Sequence, residues 1–127
     1  MKKTIMVIDD DTANLVMMKL LLAKLGHDTI TFDNGWDGLA AIREKMPDLV
    51  ILDLMMTPID GWQVLDELKR DGLEGVPVIL FTAKYVSEKE IKPYRDSIIC
   101  HLPKPVTFPE LKQVLDTYLS DRVISSR

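Results

Sequence analysis

The sequence predicts an α/β fold in which one doubly wound, parallel sheet of five strands is covered by five helices. Short apolar, β-branched runs alternate along the chain with helix-length stretches. The runs within 48–53 and 77–81 are continuously apolar, which is typical of strands buried on both faces. Parallel strands need crossover connections, and right-handed crossovers through helices cover both faces of the sheet.

The element boundaries follow from local stop signals. The predicted strands lie at residues 4–8, 27–32, 48–53, 77–81 and 98–102. Gly26 ends a first helix at 13–25, and Pro47 ends a second at 36–46. A third helix ends at Gly72, and a short fourth helix begins after Ser87 and is limited by Pro93. The fifth helix is predicted at 108–119.

Length and composition set the class of protein. The 127 residues are enough for one domain, and the longest apolar runs are four residues, far short of the roughly 18–20 that a membrane helix needs. The single cysteine, Cys100, excludes an internal disulfide and a multi-cysteine zinc site. A net charge of −4 gives no support for bulk nucleic-acid binding. We therefore expect one small soluble domain over residues 1–127, located in the cytoplasm.

Polar residues lie at the ends of four of the predicted strands. Asp9 and Asp10 follow the first strand, Asp53 ends the third, Thr82 follows the fourth and Lys104 follows the fifth. A parallel sheet brings these strand ends to one edge, where two carboxylates about 4 Å apart repel by roughly 4 kcal/mol at an effective dielectric of 20. A divalent cation neutralises such a cluster, and oxygen ligands favour Mg²⁺ or Mn²⁺ over zinc. Together with a lysine and a hydroxyl, the set is suited to accepting a phosphoryl group.

Other interpretations of these residues remain open at this point. The acids could be favourable charges at helix starts, and Lys104 and Thr82 could be ordinary surface and strand-end residues. Two other functions are disfavoured. A nucleotide-binding loop needs glycines where this chain has three aspartates, and a dehalogenase-type phosphatase needs an acid where it has Met55.

The chain resembles the receiver domain of two-component response regulators, the family that includes the single-domain chemotaxis regulator. The resemblance spans about residues 4–120 and depends on an ordered set of motifs rather than on any one of them. The matching motifs are Val7-Ile8-Asp9-Asp10-Asp11, Asn34-Gly35, Leu52-Asp53-Leu54-Met55-Met56, Ile59-Asp60-Gly61, Phe81-Thr82-Ala83 and Lys104-Pro105.

The resemblance implies a flavodoxin-like fold and a role for each site residue. Asp53 would be the phosphoryl acceptor, and Mg²⁺ would be bound by Asp9, Asp10, Asp53 and the backbone carbonyl of Met55. The ammonium group of Lys104 would contact the phosphoryl oxygens. The hydroxyl of Thr82 would move after phosphorylation.

Two departures from the family pattern are apparent. The proline that usually lies four residues after the acceptor is replaced by Thr57, and Pro58 follows it. His101 stands where relatives often have a switching tyrosine or phenylalanine. We expect His101 on the fifth strand near Thr82, either as a switch residue or as a static residue of an interaction face. The resemblance also implies a cis bond between Lys104 and Pro105.

The predicted function is that of a phosphorylatable signalling receiver. The implied donor is a sensor histidine kinase or a histidine phosphotransfer protein. The implied output partner is a protein that binds around the fourth helix, fifth strand and fifth helix, without direct contact to nucleic acid or membrane. The chain would catalyse only its own phosphoryl transfer, with dephosphorylation as a second step, and would not be a turnover enzyme. The alternative is a receiver excised from a larger transcription factor, hybrid kinase or output enzyme, whose output domain would lie outside this chain.

Overall fold

Five parallel strands form one sheet in a computed structural model that describes residues 2–119. The strand order is β2-β1-β3-β4-β5, so the chain changes direction across the sheet after β2. Hydrogen bonding is parallel throughout, and the β4–β5 register shifts next to Val78. The strands are β1 Thr4–Ile8, β2 Asp28–Phe32, β3 Leu49–Leu52, β4 Val78–Thr82 and β5 Ile98–Pro103.

Helices connect the strands, and side-chain caps mark where several of them begin. Asp11, Asn34, Asp60 and Ser87 each accept a hydrogen bond from backbone N–H groups in the first turn. Residues 88–94, called here the α4 segment, consist of a four-residue helix and a 3₁₀ turn. The helices are α1 Thr12–Lys24, α2 Gly35–Lys45, α3 Gly61–Arg70, α4 Glu88–Ile91 and α5 Phe108–Leu119, and the 3₁₀ turn is Lys92–Tyr94.

The sheet separates two apolar cores, as expected for strands covered on both faces. One core joins alternate residues of the strands to α2, α3 and the β4–α4 loop. The other joins the remaining strand residues to α1 and α5. Central members of the first core are Ile8, Leu52, Leu65 and Leu80, and those of the second are Val7, Met18, Ile51, Phe81 and Leu111.

The predicted fold class and all ten elements are confirmed. The boundaries differ from the prediction by about one residue. For example, three helices begin at Thr12, Gly35 and Gly61, each directly after the residue that caps it. Cys100 is half-buried against the second core. Within residues 2–119, no helix is long and apolar enough to cross a membrane.

Candidate functional site

The carboxyl edge of the sheet positions the predicted site residues. The N–H of Asp9 donates to the carbonyl of Phe32, and the N–H of Asp53 donates to the carbonyl of Ile8, at 3.1 and 3.0 Å. Both aspartates therefore continue the sheet hydrogen bonding one residue beyond the ends of β1 and β3. Their side chains are almost fully buried, whereas Asp10 is exposed.

Asp9, Asp10 and Asp53 form an acidic cluster, with one carboxylate oxygen of each within 4.8 Å of the others. The Lys104 ammonium lies between the two buried members, with Nζ 2.8 Å from Asp9 Oδ2 and 3.4 Å from Asp53 Oδ2. Burial raises the pKa of Asp9, and its hydrogen bond from Lys104 only partly opposes this. Burial lowers the pKa of Lys104, but its contacts with Asp9 and Asp53 outweigh that effect and raise it overall. The lysine thus remains charged.

The donor chemistry of the acidic cluster fits a hard divalent cation. Its potential ligands are carboxylate oxygens, which suit Mg²⁺. One ammonium group cannot neutralise three carboxylates, so a net negative charge remains at a largely buried place. The backbone of Met55 lies beside the cluster, because its N–H donates to Asp53 Oδ1 at 3.3 Å.

The loop from β3 to α3 lies close to the acidic cluster for two reasons. The Thr57 N–H donates to Asp10 Oδ2 at 3.3 Å, which joins the loop to the end of β1. Gly61 allows α3 to begin against the backbone of Asp53 and Leu54, because a Cβ there would lie 2.5 Å from the carbonyl oxygen of Asp53 and 2.8 Å from the Cα of Leu54.

Thr82 and His101 lie on the neighbouring strands β4 and β5. The Thr82 hydroxyl accepts from the Lys84 N–H at 3.3 Å, and its side chain is buried. His101 pairs with Leu80 in the parallel register, and Pro103 pairs with Thr82. His101 Nε2 is buried and makes no hydrogen bond within the part of the chain that the structure describes. Its inward position therefore leaves a polar atom unsatisfied.

A cavity of about 380 Å³ opens beside the acidic cluster. Trp62 of α3 and Lys84 of the β4–α4 loop lie on its walls, with Met55, which is 62% exposed, at its rim. The remaining lining residues are Asp10, Leu54, Met56, Thr57 and Asp60. The space beside Asp10 is thus lined by sulfur, aromatic and charged groups.

The structure brings together Asp9, Asp10, Asp53 and Lys104, as the strand pattern predicted. The expected cis bond between Lys104 and Pro105 is present, and a second one joins Thr57 to Pro58. Trp62 in the cavity wall belongs to the site, although none of the sequence motifs includes it. The nearest available signal was its place one residue after Gly61, at the start of a helix following the predicted acceptor.

Comparison with curated proteins identifies similar chains that match over nearly the whole of both sequences. The polar-differentiation response regulator DivK of Brucella anthropi is 30% identical over 122 residues, which are 95% of this chain and 99% of that protein. Protein PilH of Pseudomonas aeruginosa is 29% identical over 117 residues, which are 91% of this chain and 97% of that protein.

Solved structures and family comparison agree. The N-terminal domain of a response regulator receiver protein from Methanoculleus marisnigri is 34% identical, with a TM-score of 0.76, and the match covers 93% of this chain and 97% of that one. The chemotaxis protein CheY4 of Vibrio cholerae shares the fold at 19% identity, with a TM-score of 0.82 over 93% of this chain and 99% of that one. Residues 5–116 match the model of the response regulator receiver domain. The chain therefore belongs to the response regulator receiver domain family, the receivers of two-component signalling.

Proposed function

We propose that this receiver accepts a phosphoryl group on Asp53 from the phosphohistidine of a sensor kinase or a phosphotransfer protein. The observation that carries the proposal is the position of Lys104 Nζ, 2.8 Å from Asp9 and 3.4 Å from Asp53 at the strand ends. One ammonium group shared between two buried carboxylates supports a different role for each of the three residues. Asp53 is the nucleophile, Asp9 belongs to the cation site, and Lys104 binds the incoming phosphoryl oxygens.

Asp9, Asp10, Asp53 and the Met55 carbonyl are the groups that would hold Mg²⁺. When bound, the cation neutralises phosphoryl oxygens as charge develops on them during transfer. The exposed position of Asp10 is consistent with a carboxylate that turns from its Thr57 hydrogen bond toward a ligand.

The transfer replaces one bond to phosphorus by another. A carboxylate oxygen of Asp53 forms the new P–O bond as the P–N bond of the phosphohistidine breaks, and the departing imidazole nitrogen takes up a proton from solvent. Lys104 compensates the anionic oxygens throughout, and the largely buried floor of the site restricts the access of water. Apart from its own phosphorylation and dephosphorylation, the domain would have no turnover chemistry.

The signal would be read by a protein that binds the face formed by α4, β5 and α5. Movement of the Thr82 hydroxyl toward the phosphoryl group would change the start of the β4–α4 loop, since that hydroxyl accepts from the Lys84 N–H. His101 is the β5 candidate for the accompanying rearrangement, because its buried Nε2 gains a partner by leaving its present position. We place this receiver in the cytoplasm.

Intact-mass spectrometry after incubation with acetyl phosphate and Mg²⁺ tests the acceptor. The wild type is expected to gain one phosphoryl group, and Asp53→Asn is expected to gain none. Asp116→Asn, which changes an exposed carboxylate on α5, serves as the matched control and retains the adduct. An adduct that persists on Asp53→Asn would move the acceptor to another residue.

Calorimetric titration with Mg²⁺ tests the cation site separately. Replacing Asp10 by alanine removes one oxygen ligand and one of three negative charges, so the variant is expected to bind at least tenfold more weakly, a loss of about 1.4 kcal/mol. Asp33→Ala, an exposed aspartate outside the acidic cluster, is the control. Equal affinities in the wild type and Asp10→Ala would remove the proposed site.

A further inference from the structure

The α4 segment is weakly anchored to the rest of the domain. The structure describes all of residues 88–94, and none of them is buried. Its apolar contacts with the first core come from the partly buried Ile91 and Tyr94. A segment with little burial opens at a lower free energy than the strands beside it, so loss of a few contacts is enough to release it.

Tyr94 attaches the α4 segment to α3. Its ring lies against Trp62 with centroids 5.4 Å apart, and its hydroxyl donates to Asp66 Oδ1 at 2.6 Å. A third contact runs from Lys69 Nζ to the carbonyl of Pro93 at 3.1 Å. Trp62, Asp66 and Lys69 all belong to α3, so this one helix holds the C-terminal end of the segment.

Trp62 also lines the cavity beside the acidic cluster. That cavity includes Met55, Met56 and Thr57, and the Thr57 N–H donates to Asp10 Oδ2. If Asp10 turns toward a cation, this hydrogen bond is lost and the loop that shares the cavity with the indole is free to move. The same indole therefore lines a cavity together with a loop that is hydrogen-bonded to the acidic cluster, and it packs against the tyrosine that holds the α4 segment.

We propose that Trp62 and Tyr94 form a mechanical link that transmits occupancy of the acceptor site to the α4 segment through α3. The link is separate from the one through Thr82 and His101. It rests on the proposed function, because its trigger is occupation of the acceptor site by the cation together with the phosphoryl group on Asp53. Occupancy shifts the wall of the cavity, weakens the packing of Trp62 on Tyr94 and loosens the segment. The output face then changes even though β5 carries a histidine in place of a large aromatic side chain.

The test uses Trp62 as a local reporter. The chain has two tryptophans, so Trp36→Phe leaves Trp62 as the single one. In that background, tryptophan emission and amide hydrogen exchange over residues 88–96 are measured without metal, with Mg²⁺ alone and with Mg²⁺ plus beryllium trifluoride, which mimics the phosphoryl group. Fluorine NMR reports independently whether the adduct forms.

Relative to the metal-free protein, the adduct formed with Mg²⁺ is expected to change Trp62 emission and to speed exchange over residues 88–96 by roughly tenfold, the equivalent of about one hydrogen bond. His101→Ala is expected to retain both responses. In Tyr94→Leu, the amides of residues 88–96 are expected to exchange rapidly before the adduct is added and only slightly faster after it. Trp62 emission of this variant is still expected to respond to the adduct. Tyr85→Leu, which changes a tyrosine that is 81% exposed, is the matched control and follows the parent protein.

Several outcomes would overturn the link. One is an adduct that speeds exchange while Trp62 emission stays constant, which places the route elsewhere. Another is loss of the exchange response in His101→Ala despite adduct formation, which assigns the response to β5. A Tyr94→Leu protein that responds as the parent does removes Tyr94 from the route. Absence of any adduct on the parent protein overturns the proposed function itself, and with it the trigger of the link.

Discussion

At the carboxyl edge of the sheet, Asp9, Asp53 and Thr82 are buried, whereas none of the described residues 88–94 is buried. The first region is held by sheet hydrogen bonds and by Lys104, which joins β5 to residues after β1 and β3. The second is held by its own capping box and by side-chain contacts with α3. The two regions are built in opposite ways, although Thr82 of the first lies only six residues before Glu88 of the second.

This difference separates the chemistry of the domain from its response. Phosphoryl transfer needs groups held in fixed positions, and strand ends in a buried sheet provide them. A change in a binding surface needs an element whose contacts are few enough to rearrange at small cost in free energy. Perturbations of the first region should therefore affect the stability of the whole domain, and those of the second should remain local.

The largest effect is expected from Gly61→Ala. The added methyl group would overlap the Asp53 carbonyl oxygen and the Cα of Leu54, both backbone atoms that cannot move without shifting the site. We expect a loss of about 3 kcal/mol in the free energy of unfolding, measured by urea denaturation. Gly75→Ala is the matched control, since its added Cβ meets nothing within 4 Å and stability should stay within about 1 kcal/mol. Similar values for the two variants would show that α3 does not need its close approach to Asp53.

A smaller loss is expected from Lys104→Met. The change keeps most of the side-chain length but leaves Asp9 and Asp53 without their shared cation, at a site where the lysine side chain is 17% exposed. Breaking a fully buried ion pair costs about 3–5 kcal/mol, and partial access to water reduces the expected loss here to about 2 kcal/mol. The control Lys112→Met breaks an exposed pair with Asp116 and should cost less than about 0.5 kcal/mol in the same denaturation experiment. Equal losses would show that the acidic cluster does not depend on Lys104 for stability.

The sequence predicted the fold and the acidic cluster for the same reason. Apolar runs such as 49–52 are local signals, and a parallel sheet brings whatever follows them to one edge. The short helix after Ser87 was also predictable, because Pro93 disfavours a longer one. These inferences needed only neighbouring residues and a general rule of topology.

The contacts that hold the α4 segment and the loop from β3 to α3 could not be predicted in this way. Tyr94 and Asp66 are 28 residues apart, and Thr57 and Asp10 are 47 apart. Neither pair belongs to a periodic pattern or a motif, because each depends on how a loop or a short helix lies against a neighbour. Tyr94 follows a proline in a polar stretch, where its sequence context gives no sign of its contact with Trp62.

The smallest expected effect concerns the proton of Tyr94. Its hydrogen bond to Asp66, with burial as the second cause, raises the pKa of Tyr94 to about 12. An unfolded tyrosine titrates near pH 10, so the folded state favours the protonated phenol. The stabilisation is complete below about pH 10 and is lost as the pH rises toward 12, which should release the α4 segment while the sheet stays intact.

Difference absorbance between the wild type and Tyr94→Phe isolates this titration from those of the other tyrosines. Asp66→Asn removes the charge that holds the proton, so the pKa of Tyr94 is expected to fall in that variant. Asp71 lies at the C-terminal end of α3 and pairs with Arg43 instead. The control Asp71→Asn is therefore expected to leave the pKa of Tyr94 unchanged. If the pKa of Tyr94 is the same in the wild type and in Asp66→Asn, the hydrogen bond from the Tyr94 hydroxyl to Asp66 does not hold the α4 segment. Its attachment would then depend on the packing of Tyr94 against Trp62 and on the contact from Lys69 to Pro93.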